Sequence, residues 1–320
     1  GAVIDTATFP TNKAGNARAV TWIVRRTSGS VLAAVEGTSS YGAGITAALS
    51  EAGFDVAEVR PAARSTHAHR GKSDALDAEA AARAVLGREF DRLAKPRQGG
   101  QRTALRVLLA SRSILDQQRT ANRNALLALL RSMDLGIDAR KPLTDAQVRT
   151  ISAWRTSRAT PEHDPLAITR REARRLACSV VEQGELLKEN HRQLHQLAEA
   201  LAPGLQVQPG VGPVTAAIII CAYSHHGRVR SEAAFAALGG IAPVPASSGN
   251  TDRHRLSRSG DRQLNRAFDV IVRTRMSYDE TTRDYVARRR AEGRSNREIR
   301  RCLKRYVCRS IFRELQTAMA

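Results

Sequence analysis

The chain is poor in aromatic residues, in cysteine and in long apolar runs, and each scarcity excludes a class of protein. Aromatic residues make up 4% of its 320 residues, which disfavours a single-strand binder built on base stacking. None of the cysteines (Cys178, Cys221, Cys302 and Cys308) belongs to a CxxC pair or to a His/Cys cluster with zinc spacing. The longest apolar run, residues 214–223, is about half of what a bilayer requires, and no signal peptide is evident. We therefore expect a cytoplasmic protein with reduced thiols and no membrane partner.

What the chain has in excess is positive charge. Its 51 Lys and Arg outnumber 31 Asp and Glu, and the net charge is +20. Residues 250–320 contain 19 basic and 9 acidic residues, so half of the excess lies there, nearly all of it as arginine. Arginine binds phosphate groups in a bidentate manner. The balance predicts a nucleic-acid partner that is contacted mainly by the C-terminal region.

Three acidic residues are spaced so that a fold could bring them together. Glu36 ends the apolar run 31–35, which is typical of a buried strand, while Asp74 and Asp77 share one face at the start of a helix. Clustered carboxylates repel each other unless a hard cation such as Mg²⁺ binds them, and in a basic chain the substrate would be a phosphodiester. The alternative is local, because Ser73 is a good N-cap and aspartates favour a first turn.

Predicted helices and strands divide the chain into three regions, 1–96, 97–205 and 206–320. The first alternates helices with strands, which predicts a mostly parallel α/β unit; its expected elements are helix 14–25, strand 31–35, helix 41–52, strand 56–59 and helix 73–86. In the second, Leu-spaced helices 101–133 and 166–201 predict an antiparallel hairpin or a coiled-coil dimerisation arm. An ordinary helical bundle packed on the α/β unit is the alternative. The third region is mainly helical.

Two motifs in the third region are suited to phosphate groups. Gly210 and Gly212 lie in the stretch 209–216 between helical segments, where they let backbone N–H groups approach a phosphate, as in a helix-hairpin-helix motif; a plain Gly/Pro turn is the alternative. The Ser/Gly stretch 245–250 is followed by basic residues and suits an anion site or a nucleophile, although such stretches are usually only loops. We predict nucleic-acid contacts at Lys72, Gly210, Gly212, Arg253, Arg255, Arg258 and Arg262.

Six blocks of the chain, taken together, resemble one known family. They are residues 35–42, 70–78, 209–216, 239–243, 247–249 and 259–262. Their content and order are similar to those of the DEDD transposases of bacterial insertion sequences. These are relatives of the pilin-gene invertase Piv and are understood as bridge-RNA-guided recombinases.

The resemblance implies a fold and a set of functional residues. The fold is a RuvC-like (RNase H-type) α/β domain with four acids, a long coiled-coil insertion and a mainly helical C-terminal transposase domain with an essential serine. Glu36, Asp74 and Asp77 would be the second to fourth acids and would bind Mg²⁺ or Mn²⁺. Ser248 would be the nucleophile, with Ser247 as the substitute. The implied partners are donor and target DNA, a guide RNA and further protomers in a dimer or tetramer.

One departure from the family bears on its chemistry. The family's first acid lies on the first strand, whereas residues 1–5 of this chain look like the third strand, and Asp5 does not match in register. We therefore expect the first acid to lie outside the sequence shown. The resemblance implies a DNA recombinase with a phosphoserine intermediate. A RuvC-like hydrolytic nuclease and a catalytically inert nucleic-acid-binding protein are the alternatives.

Overall fold

A computed structural model of the chain describes residues 1–60, 73–97, 99–155, 163–245, 254–255, 257 and 259–320. The chain forms two compact units, residues 1–98 and 99–320. In the described part it is mostly helical, with two small two-stranded sheets, one parallel and one antiparallel. The division into three domains stays a prediction.

The N-terminal unit is built on a parallel pair of strands. Its elements are α1 (Lys13–Val24), β1 (Leu32–Glu36), α2 (Ala43–Glu51), β2 (Asp55–Val59) and α3 (Asp74–Val85). Leu32 pairs with Asp55 and Glu36 with Val59, so both strands end at the same edge. Because α2 connects them and α3 packs against both, the predicted alternation of strands and helices is confirmed in this part of the chain.

The first ten residues form no regular element, so the strand expected at residues 1–5 is wrong. Val3 and Ile4 are 53% and 93% exposed, and Asp5 forms a salt bridge to Arg26 at 2.6 Å. A strand needs a neighbouring edge to satisfy its backbone groups, and within the described residues no strand pairs with this segment. Its apolar side chains therefore have no sheet face to cover.

The C-terminal unit begins with a helical hairpin. It contains α4 (Gly100–Ser132), α5 (Asp145–Ser152) and α6 (Pro165–Leu201). The Arg112 guanidinium donates to the Leu187 carbonyl at 3.2 Å, and the Asn190 amide donates to the Leu108 carbonyl at 2.9 Å. Residue numbers thus rise along one helix as they fall along the other, so α4 and α6 are antiparallel. The predicted hairpin is confirmed.

The hairpin has an apolar core at each end. Its tip is closed by α5 against α6, with Leu126, Ile151 and Ala177 fully buried. Its base joins the core of the helices that follow, through Leu105, Leu194 and Ala198. The hairpin is therefore anchored in the C-terminal core at one end and carries a separate core at the other.

The remaining helices pack around one core. They are α7 (Pro213–Tyr223), α8 (Glu232–Leu238), α9 (Arg262–Tyr278), α10 (Glu280–Ala291) and α11 (Asn296–Ala318), with the short strands β3 (Val244–Pro245) and β4 (His254–Arg255) between α8 and α9. Tyr223, Phe235 and Phe312 meet with ring centroids 5.8 to 6.1 Å apart. Among the helices in the described ranges, none has the length and apolar character needed to cross a bilayer.

Candidate functional site

The predicted carboxylates lie at the edge of the N-terminal sheet and in the first turn of α3. Glu36 is the last residue of β1, and Asp74 and Asp77 occupy the first turn of the helix that packs on that strand. Ser73 caps α3 by accepting a hydrogen bond from the Leu76 N–H at 3.4 Å. Glu36 and Asp74 are exposed, and Asp77 is half-buried. The helix-start role of this motif is therefore present in the structure.

The oxygen chemistry of these acids suits a hard cation, but their arrangement is incomplete. In the ranges that the structure describes, no three His, Cys, Asp or Glu side chains form a group that could hold a metal ion. Glu36, Asp74 and Asp77 are thus not brought into one three-ligand site by the described residues. Their metal assignment stays a prediction.

The C-terminal unit contains a cleft of about 540 Å³ whose floor is made by two glycine-rich turns. Gly240 follows α8 and has φ +61°, while Gly260 precedes α9 and has φ +104°. A Cβ atom on Gly240 would lie 2.5 Å from the Ser259 carbonyl oxygen, and one on Gly260 would lie 2.7 Å from the Gly240 nitrogen. Only glycine allows both the left-handed backbone and this approach. Blocks 239–243 and 259–262, which are distant in sequence, thus meet here.

Polar bonds from α9 hold these turns in place. The Asn265 amide donates to the Gly239 carbonyl at 2.7 Å, and the Asp261 N–H donates to the Leu238 carbonyl at 2.7 Å. The Asp261 carboxylate in turn accepts the N–H groups of Gln263 and Leu264 and so caps α9. The cleft floor is therefore fixed to the start of α9.

The walls of the cleft carry four cations, contributed by α9 and α11. They are Arg262, Arg266, Arg301 and Lys304. The carboxylates of the two acids in the lining, Asp261 and Asp269, both bind other groups of the protein: Asp261 caps α9, and Asp269 forms salt bridges to α11. Because the cations outnumber the acids, the cleft suits an anion such as a phosphodiester. Two hydroxyl groups also reach it, those of Ser257 and Ser259, whose oxygens are 2.9 Å apart.

Asp269 ties the two helices together at one side of the cleft. It lies 2.9 Å from the Lys304 ammonium and 2.6 Å from the Arg300 guanidinium. Burial alone would raise the pKa of Asp269, but the hydrogen bonds from Arg300 and Lys304 outweigh burial and lower this pKa below its ordinary value of 3.8. Lys304 also donates to the Asn265 side chain at 3.1 Å, so its charge is held toward the glycine turns.

The predicted nucleic-acid contacts are spread over several places. Arg262 lines the cleft, while Arg255 is an exposed residue of β4 that pairs with Val244. The other basic predictions, and both candidate nucleophiles, lie outside the described residues; they are Lys72, Arg253, Arg258, Ser247 and Ser248. The two serines fall in the sequence between β3 and β4.

Gly210 and Gly212 have structural roles in the described fold. Gly210 has φ +76°, and a Cβ atom there would lie 2.9 Å from the Ile271 carbonyl oxygen of α9. The N–H of Gly212 donates to the Thr215 hydroxyl at 3.0 Å at the start of α7. Close packing against α9 thus accounts for Gly210, and a phosphate contact at either glycine stays a prediction.

The site includes residues that the sequence did not single out. Asn265, Asp269 and Lys304 lie on two helices separated by the whole of α10. Asn265 and Asp269 are four residues apart, as are Arg300 and Lys304, so each pair shares one helix face. This spacing was the available signal, although the contact of the acidic face of α9 with the basic face of α11 depends on helix packing.

Comparisons with known proteins cover both units. The model of IS110 DEDD transposases matches residues 1–134. The model described as "Transposase IS116/IS110/IS902 family" matches residues 203–287. The first match includes Glu36, Asp74 and Asp77, and the second includes the glycine turns and α9.

Three curated relatives show similar coverage. "Putative transposase y4pF/y4sB" of Sinorhizobium fredii is 31% identical over 68% of this chain and 54% of its own length. An IS116 insertion-element protein of Streptomyces clavuligerus is 27% identical over 70% of the chain and 66% of its own length. An IS110 insertion-element protein of Streptomyces coelicolor is 33% identical over 38% of the chain and 31% of its own length. The chain thus spans less than two thirds of the length of each relative.

These matches relate both candidate sites, the cleft and the sheet edge, to one family. A DEDD transposase domain implies dependence on a divalent metal, although the described carboxylates do not complete a site for one. Two models of the same insertion-element family match different parts of the chain in order, and a putative transposase and an IS116 insertion-element protein align over 68% and 70% of it. The chain belongs to the IS110/IS116 family of DEDD transposases.

Proposed function

We propose that this protein cuts and rejoins DNA during movement of an insertion element, and that the C-terminal cleft holds the reacting phosphodiester. The observation that carries the proposal is the cleft itself. Four cations surround two glycine turns within or beside a segment matched by the transposase family model. The serines of the 247–249 block are close to this cleft in sequence. A phosphate bound there would be held by groups that oppose its negative charge.

The proposed chemistry is a serine-mediated transfer. The Ser248 oxygen attacks phosphorus and forms a phosphoserine ester, the bond from phosphorus to one DNA oxygen breaks, and that oxygen leaves with a proton as a hydroxyl group. A hydroxyl group of a second DNA end then attacks the ester, and the proton returns to serine. The number of phosphoester bonds stays constant, so rejoining needs no external energy source.

The cations of the cleft supply electrostatic stabilisation in this scheme. Negative charge grows on the phosphate oxygens as serine attacks, and Arg262, Arg301 and Lys304 are positioned on two helices that the Asp269 bridges hold together. Donors that are fixed before the reaction need no reorganisation in the transition state. We therefore assign these residues to phosphate binding, and not to proton transfer.

The carboxylates Glu36, Asp74 and Asp77 remain our candidates for a divalent metal, Mg²⁺ or Mn²⁺. Asp74→Ala combined with Asp77→Ala is expected to abolish strand cleavage while leaving DNA affinity largely intact, because phosphate binding at the C-terminal cleft is untouched. We also propose a guide RNA and a homo-oligomer, dimer or tetramer, as partners; the high positive charge is compatible with both RNA and DNA.

A covalent-adduct assay tests the serine assignment. End-labelled donor DNA is incubated with the protein, guide RNA and Mg²⁺, and the mixture is resolved under denaturing conditions. We expect a labelled protein–DNA adduct whose protease digestion leaves a peptide containing Ser247 and Ser248. Ser248→Ala should eliminate both the adduct and the recombined product, because water cannot store the bond for rejoining.

Two further variants make the result decisive. If Ser247→Ala or Ser257→Ala eliminates the adduct while Ser248→Ala retains it, the nucleophile is the other serine. Cleavage without any adduct in the wild-type protein would establish the hydrolytic nuclease instead. DNA binding with neither cleavage nor adduct would establish an inert binding protein.

A further inference from the structure

Five arginines recur at every fourth position of the last helix, α11. They are Arg297, Arg301, Arg305, Arg309 and Arg313. At 1.5 Å per residue, the series runs for about 24 Å, and each step turns by about 40° around the helix. We call these five residues the arginine stripe. They lie beyond the segment that the transposase family model matches.

The opposite side of α11 is buried in the core of the C-terminal unit. Ile299, Leu303, Val307, Ile311 and Leu315 are at most 7% exposed, and they too recur at every fourth position. Each lies two residues from an arginine, which is a turn of about 200° around the helix. The arginine stripe therefore lies on the side of α11 opposite these apolar residues, with Arg305 half-buried and the other four arginines exposed.

Most of the charge of the stripe is available to a ligand. Glu232 of α8 pairs with both Arg305 and Arg309, with the second contact at 2.9 Å. Arg297, Arg301 and Arg313 are exposed, and among the described residues no carboxylate forms a salt bridge with them. The acids of α11 itself are engaged elsewhere: Glu298 accepts the Ser295 N–H at the helix start, and Glu314 accepts from Gln208.

The stripe connects two depressions of the surface. Arg301 lines the cleft of about 540 Å³ that contains the glycine turns. Arg309 and Arg313 line a second depression of about 340 Å³ further along α11, together with Tyr306, Ser310 and Thr317. A ligand bound along the stripe would thus extend from the open surface to the proposed reaction centre.

We propose that the arginine stripe binds the phosphate backbone of duplex DNA next to the reacting position and guides the duplex toward the cleft. This inference rests on the proposed function. We assign the contacts of the stripe to the phosphates, which position the duplex and carry no base readout. Tyr306 is the one exposed aromatic residue in the second depression, which favours a duplex over a stacked single strand.

The test is the salt dependence of DNA binding by the full chain. Binding of a duplex of arbitrary sequence is measured over a range of salt concentrations for the wild type and for the triple variant Arg297→Gln, Arg301→Gln and Arg313→Gln. The slope of log K against log salt is negative, and each lost phosphate contact should reduce its magnitude by about 0.9. The triple variant should therefore reduce the magnitude by about 2.7. A duplex of different sequence should give the same loss.

Matched variants separate the stripe from general charge. Arg171, Arg174 and Arg175 are three exposed arginines of α6, and changing them to Gln removes the same charge; the slope should stay within about one contact of the wild type. Changing the three stripe arginines to Lys should preserve the slope. Glu232→Gln frees Arg305 and Arg309, and it should steepen the slope and tighten binding at low salt.

Three results would overturn the proposal. They are an unchanged slope in the α11 triple variant, an equal loss in the α6 control, and a larger loss with single-stranded DNA than with duplex. The proposed function fails differently, since it requires a Ser248 adduct in the wild-type protein. Adduct formation with an unchanged slope would reject the stripe alone, whereas a reduced slope without any adduct would reject the serine chemistry alone.

Discussion

Gly240 shows how a single backbone position shapes the cleft. Its φ of +61° is in the left-handed region, and a Cβ atom there would be 2.5 Å from the Ser259 carbonyl oxygen. Gly240→Ala should therefore lower the free energy of unfolding by roughly 2 kcal/mol or more, through both strain and displacement of the second turn. The measurement is urea unfolding followed by circular dichroism.

A matched glycine separates the two causes. Gly293 has φ +78° but meets nothing within 4 Å, so Gly293→Ala carries the backbone strain alone, about 1 kcal/mol. Gly240→Ala should also weaken DNA binding at the cleft, and Gly293→Ala should not. Equal destabilisation by the two substitutions would mean that the contact between the turns is not tight.

Asp269 should give the C-terminal unit a pH-dependent component of stability. Its folded-state pKa is lowered by Arg300 and Lys304, so its contribution is present above the unfolded pKa and is lost as pH falls through the folded value. The stability difference between wild type and Asp269→Asn should be constant at neutral pH and shrink below the ordinary value of 3.8. Urea unfolding of both proteins over this range measures it. A difference that stays constant to the lowest accessible pH would contradict the lowered pKa.

At the residue scale, the sequence identified part of the cleft and missed part. The sequence identified Arg262 and the blocks around Gly240 and Gly260 because each belongs to a short contiguous motif. Asn265, Asp269 and Lys304 were missed because their meeting depends on how α9 packs against α11. Spacing along one helix predicts which residues share a face, but it does not predict which other helix that face will meet.

At the scale of elements, Asn190 is a buried polar residue in the seam between α4 and α6. It is 5% exposed, its side-chain N–H donates to the Leu108 carbonyl, and Leu187 and Leu194 flank it on the same helix. Asn190→Leu should raise the free energy of unfolding by on the order of 1 kcal/mol, because an apolar side chain then fills the seam. Thermal and urea unfolding measure the change.

The opposite substitution provides the contrast. Asn190→Asp places an unpaired charge at the same position and should lower stability by about 3 kcal/mol or more. A loss of stability in Asn190→Leu, comparable to the loss in Asn190→Asp, would show that the hydrogen bond to Leu108 outweighs the apolar gain.

Element boundaries were predicted well where a periodic pattern was long. Helices α4 and α6 begin and end within one residue of the expected positions, because apolar residues recur over many turns. Helix α5 was missed inside a polar segment, although Thr144 and Gln147 form a capping box that is visible in the sequence. The failed strand at residues 1–5 has the reverse cause, since β-forming residues need a partner edge that local sequence does not reveal.

At the scale of the whole molecule, we expect the hairpin to mediate self-association. Val107, Ile114 and Leu186 are 62%, 56% and 48% exposed on its two helices, and the α4–α6 contact leaves these apolar side chains uncovered. Deleting all of residues 97–205 would remove Leu105 and Leu194 from the C-terminal core. A better variant replaces residues 113–186 with a short Gly/Ser turn, which keeps the base where Arg112 meets Leu187.

Light scattering measures the oligomeric state of the truncated protein. The shortened protein should be a monomer under conditions in which the full chain associates, and it should keep its far-ultraviolet signature of helix. The variant Ile114→Glu with Leu186→Glu provides a milder control and should shift the same equilibrium. An oligomer of unchanged size in the truncated protein would place the contact elsewhere.

The hairpin, with a core at each end, has the mechanical properties of a lever. Its 33-residue helix α4 is about 50 Å long, so a rotation of one degree at the base moves the tip by roughly 1 Å. The base is held by the buried Arg102, whose guanidinium donates to the Cys221 carbonyl of α7 at 3.0 Å. A change of tilt at α7 is therefore magnified at the tip, and a partner bound at the tip would exert torque on the helices that carry the cleft.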